Sequence, residues 1–237
     1  MSLYRLLKQR EEKGAPVRVG IIGAGTFGTS VIAQIRQIPG IQLVCIAELD
    51  QEKARKACLR TGWLGEDLCL ADSAAAINDA AQRGKVALTD RSDQLIQAEM
   101  DVVAEITGIV EAGANHAWKA LETGKHVIMV NVETDVLLGP VLKKKAEEKG
   151  LVYSQAYGDQ PAVICEMIDW ARTAGFDVVC AGKWTFNSPK FSYSTPETVW
   201  ENIGFSKERL ASGSYNPQMY NSFIDGTKSA IEMRASL

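Results

Sequence analysis

The sequence predicts an α/β chain: a doubly wound, mostly parallel sheet followed by a partial second region. Three observations lead there. Runs of Val, Ile and Ala of strand length alternate with stretches of helical period. Gly or Pro closes one helical stretch after another. The strand runs are apolar almost throughout, which marks strands covered by helices on both faces. Right-handed crossovers between such parallel strands leave the doubly wound arrangement.

Each element has its own signal. MSLYRLLKQREEKG opens the chain as a charged amphipathic helix and lacks the apolar centre of a signal peptide. Val17 to Ile22 reads as a strand, and Thr26 to Gln37 as a helix stopped at Pro39-Gly40. Ile41 to Ala47 is the next strand, followed by a helix from Gln51 to Thr61 that ends at Gly62. Lys85 to Leu88 and Asp101 to Ile106 are strands, and Glu111 to Thr123 is a helix closed by Gly124. His126 to Val130, a helix reaching Lys149 before Gly150, and Leu151 to Gln155 complete this part. Composition changes near residue 157. Gln160-Pro161 opens a helix ending at Gly175, and Phe176 to Ala181 reads as a strand. Beyond it lies an irregular stretch rich in aromatics, Asn, Ser and Pro, then SAIEMRASL, the start of a fresh helix with no partner. The expected division is 1–157 and 158–237.

Composition excludes several classes of function. At roughly 100–200 residues per domain, 237 residues make one filled domain, or one plus part of a second. A chain that is 46% hydrophobic and 23% charged is neither disordered nor a membrane protein. A net charge of −3 gives no basic surface for nucleic acid, and no apolar run approaches the roughly 20 residues that span a bilayer. A cytoplasmic protein is expected. Five cysteines form no C-x-x-C pair, and all read as structural, with Cys45 and Cys180 inside apolar runs. Two histidines, His116 and His126, supply neither a metal site nor a Ser-His-Asp triad. The tryptophans at 118, 170, 184 and 200 read as packing, and KKKAEEK as a solvated helix face.

The most specific motif is VRVGIIGAGTFGTSV, where Gly23, Gly25 and Gly28 follow a strand and open a helix. Gly23 makes the tight turn, Gly25 admits a pyrophosphate to the backbone, and Gly28 lets helix and strand pack. Backbone N–H groups at the helix start, at Thr26 and Phe27, would face the phosphates. Glu48 ends the second strand 20 positions after Gly28, where an acid binds the adenosine ribose. The pattern is that of a Rossmann domain holding a dinucleotide. Glu48 favours NAD(H), whereas Lys53 and Arg55 just beyond it would favour NADP(H); FAD suits so short a chain less well. At the ends of later strands, Glu105, Thr107, Gly108 and Asn131 fall where an open parallel sheet binds its ligand.

GIIGAGTFG, DVVAEITG and GKHVIMVN resemble the nucleotide-binding domain of homoserine dehydrogenases. The chain is more similar still to the predicted homoserine dehydrogenases that include the 1-deoxy-D-xylulose 5-phosphate reductoisomerase-like enzymes. VNVETDVLLGP, YGDQPAVICEMIDWARTAGF and NPQMYNSFIDGTKSAIEM carry that resemblance over nearly the whole chain. It implies an NAD(P)-dependent oxidoreductase, with reduction and rearrangement of 1-deoxy-D-xylulose 5-phosphate as one specific option. Members of the group are longer, so the chain is expected to be a segment. Two departures stand out. Val132 occupies the position of the lysine that follows Asn131 in true homoserine dehydrogenases, and FIDGTKSA matches their acidic substrate segment only loosely. The Glu-Lys-Pro of sugar dehydrogenases is absent after GKHVIMVN.

A nicotinamide enzyme needs a group that polarises a carbonyl oxygen and moves its proton. With histidine scarce, lysine is the natural choice, since burial lowers its pKa. Lys228 is the expected acid/base with Asp225 as partner, against the plain reading of DGTK as a helix start. Lys183 would hold an anionic group of the substrate. Glu133, and Asp159 with Gln160 ahead of Pro161, are expected to meet the substrate. A divalent cation would need carboxylates such as Asp159, Glu133 or Asp225 to converge. The expected partner is a small metabolite, and the apolar residues of the last segment suit either self-association or packing on a further region of a longer chain. The rival class is a non-catalytic dinucleotide-binding module that senses redox state or serves as a scaffold.

Overall fold

The computed structural model describes residues 2–183, 188–212 and 215–236. The chain divides into two compact units, Met1–Ser154 and Gln155–Leu237. The first contains α1 (Leu3–Glu12), β1 (Val17–Ile22), α2 (Thr26–Ile35), β2 (Ile41–Ala47) and α3 (Gln51–Arg60). These lead to β3 (Leu68–Leu70), α4 (Ala74–Gln82), β4 (Val86–Thr89), α5 (Ser92–Gln97) and β5 (Val102–Glu105). Then come α6 (Val110–Glu122), β6 (His126–Met129) and α7 (Val132–Glu148), and β7 (Tyr153–Gln155) crosses the division.

The strands form one parallel sheet in the order β3-β4-β2-β1-β5-β6-β7. The chain winds outward from β1 in one direction, then returns to add β5, β6 and β7 on its other side. The direction of winding therefore reverses between β1 and β5. Ile22 pairs with Ala47 on one side and Glu105 on the other, and Glu105 pairs with Met129. The ends of β2, β1, β5 and β6 are thus level, and the segments leaving them share one edge of the sheet. Both faces are buried, as the apolar strands require. Ile21, Ile32, Ile46, Ala54 and Leu88 fill one side, and Val44, Ile77, Leu95, Val103, Leu121 and Leu142 the other.

The structure adds elements that the sequence reading passed over and corrects others. β3, α4 and α5 were not expected. AAAINDAAQ is a helix of small residues whose apolar face is marked mainly by Ile77, and Leu68–Leu70 is too short to give a period. In the second unit, α8 (Gln160–Thr173) is followed not by a strand but by irregular backbone over 176–181. Val179 there is 97% exposed. Without a neighbour to pair its N–H and C=O groups, an apolar run does not become a strand. Cys180 in that run is exposed, and so is Cys165 on α8, contrary to the structural reading of all five thiols, whereas Cys45 and Cys58 are buried.

The supposedly irregular stretch contains α9 (Val199–Ile203), α10 (Lys207–Ser212) and α11 (Pro217–Ile224) before α12 (Thr227–Ala235). α12 has partners, since it packs on α8 and α11. Gln155 donates to the Ala235 carbonyl. Trp200 stacks on Phe205 at 5.5 Å in a ring cluster with Tyr215 and Tyr220. Trp170 is 69% exposed and does not pack as expected; Trp184 lies outside the described residues. Among the described residues, no helix is long and apolar enough to cross a membrane.

Candidate functional site

The glycine loop is built by close approaches that glycine alone permits. Gly23 has φ +105°, and a Cβ there would stand 3.1 Å from the Ile106 carbonyl carbon and 3.2 Å from the Thr107 nitrogen. The loop therefore lies directly on the chain that leaves β5. At Gly28 a Cβ would stand 2.3 Å from the Gly23 oxygen, so α2 can sit this close only with glycine there. Gly25 differs from both. It is the N-cap of α2 at φ −70°, and a Cβ would meet nothing within 4 Å. The first backbone bond of α2 runs from the Thr29 N–H to the Gly25 carbonyl, which leaves the N–H groups of Thr26, Phe27 and Gly28 at the helix's positive end. Open space over Gly25 beside those donors is the cradle that a pyrophosphate requires.

Glu48 leaves the end of β2 toward this loop. Its Oε2 accepts from the Ala24 N–H at 2.8 Å and from Lys53 Nζ at 3.1 Å. The carboxylate thus braces the loop, and a lysine stands beside it at the position where the adenosine ribose would lie.

Across the reversal of winding, the ends of β5 and β6 are tied together. Glu105 is 0% exposed; its Oε1 accepts from Thr107 Oγ1 at 2.6 Å and lies 3.2 Å from His116 Nδ1. Thr107 Oγ1 also accepts from the Ile109 N–H, and Gly108 turns the chain at φ +70°. Asn131 is buried as the N-cap of α7. It accepts from the Thr134 N–H and donates through Nδ2 to the Ile109 carbonyl at 3.0 Å and to Thr107 Oγ1 at 3.5 Å. Glu133, in the first turn of α7, is half-buried. Behind it the Tyr153 hydroxyl donates to buried Asp135 at 2.6 Å. Burial and that carboxylate hold the phenol well above its usual range.

In the second unit, Asp159 is the N-cap of α8 and accepts from the N–H of exposed Gln160 at 2.9 Å. Lys183 ion-pairs with buried Glu232 on α12. Lys228 lies four residues before Glu232, one turn along the same helix. Asp225 accepts from Asn221 Nδ2 at 2.9 Å and from the Thr227 N–H and hydroxyl at 2.9 and 2.7 Å. It thereby caps the start of α12, although Gly226 holds the N-cap position itself. Among the described residues, no three His, Cys, Asp or Glu side chains gather as a metal site.

Glu232, His116 and the Asp135–Tyr153 pair escaped the sequence reading. Each is joined to its partner over 11 to 49 positions, a distance at which no local pattern speaks. Glu232 alone had a local signal, its helical spacing from Lys228.

Comparison with known proteins gives two family matches. Residues 23–154 match the family described as "Homoserine dehydrogenase, NAD binding domain", and residues 158–236 that described as "Oxidoreductase DRL, catalytic domain". A homoserine dehydrogenase from Pseudomonas aeruginosa is 30% identical over 139 residues, and one from Neisseria gonorrhoeae 26% over 146. Each alignment covers 58% of this chain and 28% of the relative, so the chain spans well under half of their length. The solved homoserine dehydrogenase of Thiobacillus denitrificans superposes with a TM-score of 0.57 at 18% identity. That alignment covers 92% of this chain and 47% of the other, and it speaks for the fold.

Proposed function

Since the chain belongs to the homoserine dehydrogenase NAD-binding domain family, we propose that it is an NAD(P)-dependent oxidoreductase acting on a small, polar, anionic metabolite. The observation that carries the reading is the contrast within the glycine loop. Gly23 and Gly28 are required by packing, whereas Gly25 is required by nothing inside the protein. A glycine with open space over it at a helix N-terminus is explained by a ligand that must come close to the backbone.

The bound dinucleotide would supply or accept the hydride. The protein's part is then to orient the carbonyl or hydroxyl carbon and to move one proton at its oxygen. We assign the proton to Lys228 Nζ: it is given to the oxygen when the carbon gains hydride and taken back in the reverse direction. Asp225 fixes the start of the helix that carries Lys228. Lys183 would bind the substrate's anionic group and is oriented by Glu232. Asp159 and Gln160 in the second unit, and Glu133 in the first, are each candidates for substrate contact. Residues 1–157 would serve mainly the cofactor, and 158–237 mainly the substrate. The match of residues 158–236 to an oxidoreductase catalytic domain supports this division of labour. Activity of the 1-deoxy-D-xylulose 5-phosphate reductoisomerase type is the specific reading we favour, in a cytoplasmic protein that self-associates.

The test is turnover. With 1-deoxy-D-xylulose 5-phosphate and NADPH, Lys228→Ala should lose about 100-fold or more of the rate, the usual worth of a positioned acid/base. Its cofactor affinity should be nearly unchanged. Unaltered turnover in that variant removes Lys228 from the chemistry. A chain that binds the cofactor yet oxidises it with no carbonyl compound would be a redox sensor instead.

A further inference from the structure

We propose that Glu105 is a positioning residue for the nicotinamide half of the cofactor, acting through Thr107; this rests on the dinucleotide-binding reading above. In a doubly wound sheet, each half on either side of the reversal receives one mononucleotide. The glycine loop after β1 and Glu48 after β2 belong to the half that takes the adenosine end. The turn after β5 and Asn131 after β6 belong to the other.

Glu105 is out of place as a packing residue. It ends the run Val102-Val103-Ala104, is fully buried, and its Oε2 has no hydrogen-bond partner among the described residues. Burying a carboxylate with an unsatisfied oxygen is unfavourable, and an apolar side chain would avoid the cost. Its neighbours show what it holds. A Cβ on Gly113 of α6 would stand 3.2 Å from Glu105 Oε2, 2.7 Å from Asn131 Nδ2 and 2.4 Å from Thr134 Oγ1. Helix α6 therefore closes over a small polar chamber whose walls are the ends of β5 and α7. There the Thr107 hydroxyl donates to Glu105 Oε1 at 2.6 Å. Its lone pairs then face the Ile109 N–H and Asn131 Nδ2. One carboxylate in this way sets the direction of the Thr107-Gly108 turn and its distance from Asn131, the two groups that face the nicotinamide end.

The experiment compares two ligands. NADPH and NADH occupy both halves, whereas ADP-ribose carries the adenosine and both phosphates but no nicotinamide. In Glu105→Leu, whose side chain cannot accept from Thr107, NAD(P)H affinity should fall about tenfold or more, a change of about 1.4 kcal/mol. ADP-ribose affinity should change less than about twofold, a range within the error of independent sites. Thr107→Val keeps the carboxylate and should show the same split. The double variant should bind no more weakly than the worse single one, because both changes remove one contact. Should Glu105→Leu fail to fold, as a thermal melt would show, Thr107→Val carries the test alone. Equal losses for both ligands, or no loss for NAD(P)H, would overturn the proposal. If the unaltered chain binds ADP-ribose but not NAD(P)H, this inference fails while the adenosine half of the reading survives. If it binds neither, both fall together.

Discussion

Replacing Gly25 with alanine should abolish tight dinucleotide binding while leaving the fold intact, and replacing Gly28 should do the reverse damage. Gly25 lies at φ −70° and ψ −164°, extended backbone open to any residue, and its Cβ would meet nothing within 4 Å. The only folding cost is that of a weaker N-cap, about 0.5 kcal/mol. The added methyl stands where the pyrophosphate must approach, so affinity should fall about tenfold or more, or about 1.4 kcal/mol. At Gly28 the helix would gain about 1 kcal/mol from the better helix former. Against that, the Cβ would stand 2.3 Å from a backbone oxygen, about 1 Å inside ordinary contact. Backbone must move to relieve it, and overpacking of this kind costs about 1–3 kcal/mol or more. Urea unfolding measures the first quantity and isothermal titration with NADH and NADPH the second. If Gly25→Ala destabilises the chain as much as Gly28→Ala, or binds both cofactors as well as the parent, the cradle is misread.

Other consequences follow from buried contacts. Tyr153→Phe removes a hydrogen bond to buried Asp135 and should cost about 1.5–3 kcal/mol in urea unfolding, as bonds to charged groups do. Under native conditions iodoacetamide should label Cys165 and Cys180 first, mapped by peptide mass, because both are exposed. Cys58, whose thiol burial pushes up to about 11, and buried Cys45 should stay unmodified until unfolding. Asp101 is partly buried, which raises its pKa, but hydrogen bonds from Arg18 outweigh this and hold it below the usual 3.8. Its contribution to stability is therefore complete above about pH 4 and disappears as pH falls through the folded value. Asp101→Asn should flatten that acid limb slightly, since both partners are partly exposed.

What the sequence made legible follows a physical division. Apolar runs such as Ile41 to Ala47 announce buried parallel strands because burial on both faces leaves no polar alternation. The glycine spacing announces its loop because each position answers a steric demand of its own. Three kinds of feature were out of reach. Helix α4 has five alanines among its nine residues and Ile77 as its one large apolar side chain, so the contrast between faces that reveals a helix is faint. The run Phe176 to Ala181 is apolar enough for a strand but pairs with no neighbour among the described residues, and pairing is a property of the fold. Glu105 and Thr107 were visible at a strand end, yet the contacts with His116 and Asn131 exist only once α6 and α7 have packed. In the second unit, the Lys183–Glu232 pair joins segments whose proximity no spacing encodes.

The central claim is that the level ends of β1, β2, β5 and β6 hold a nicotinamide dinucleotide. A thermal-shift titration of the unaltered chain with NADH and with NADPH tests it most directly. A ligand that binds only the folded state stabilises it by about 2.7 kcal/mol at a hundredfold excess over Kd. The account predicts a saturable rise in melting temperature with at least one of the two, and a smaller rise at the same cofactor concentration in Gly25→Ala. No rise with either, at millimolar cofactor and with the chain folded, would contradict it.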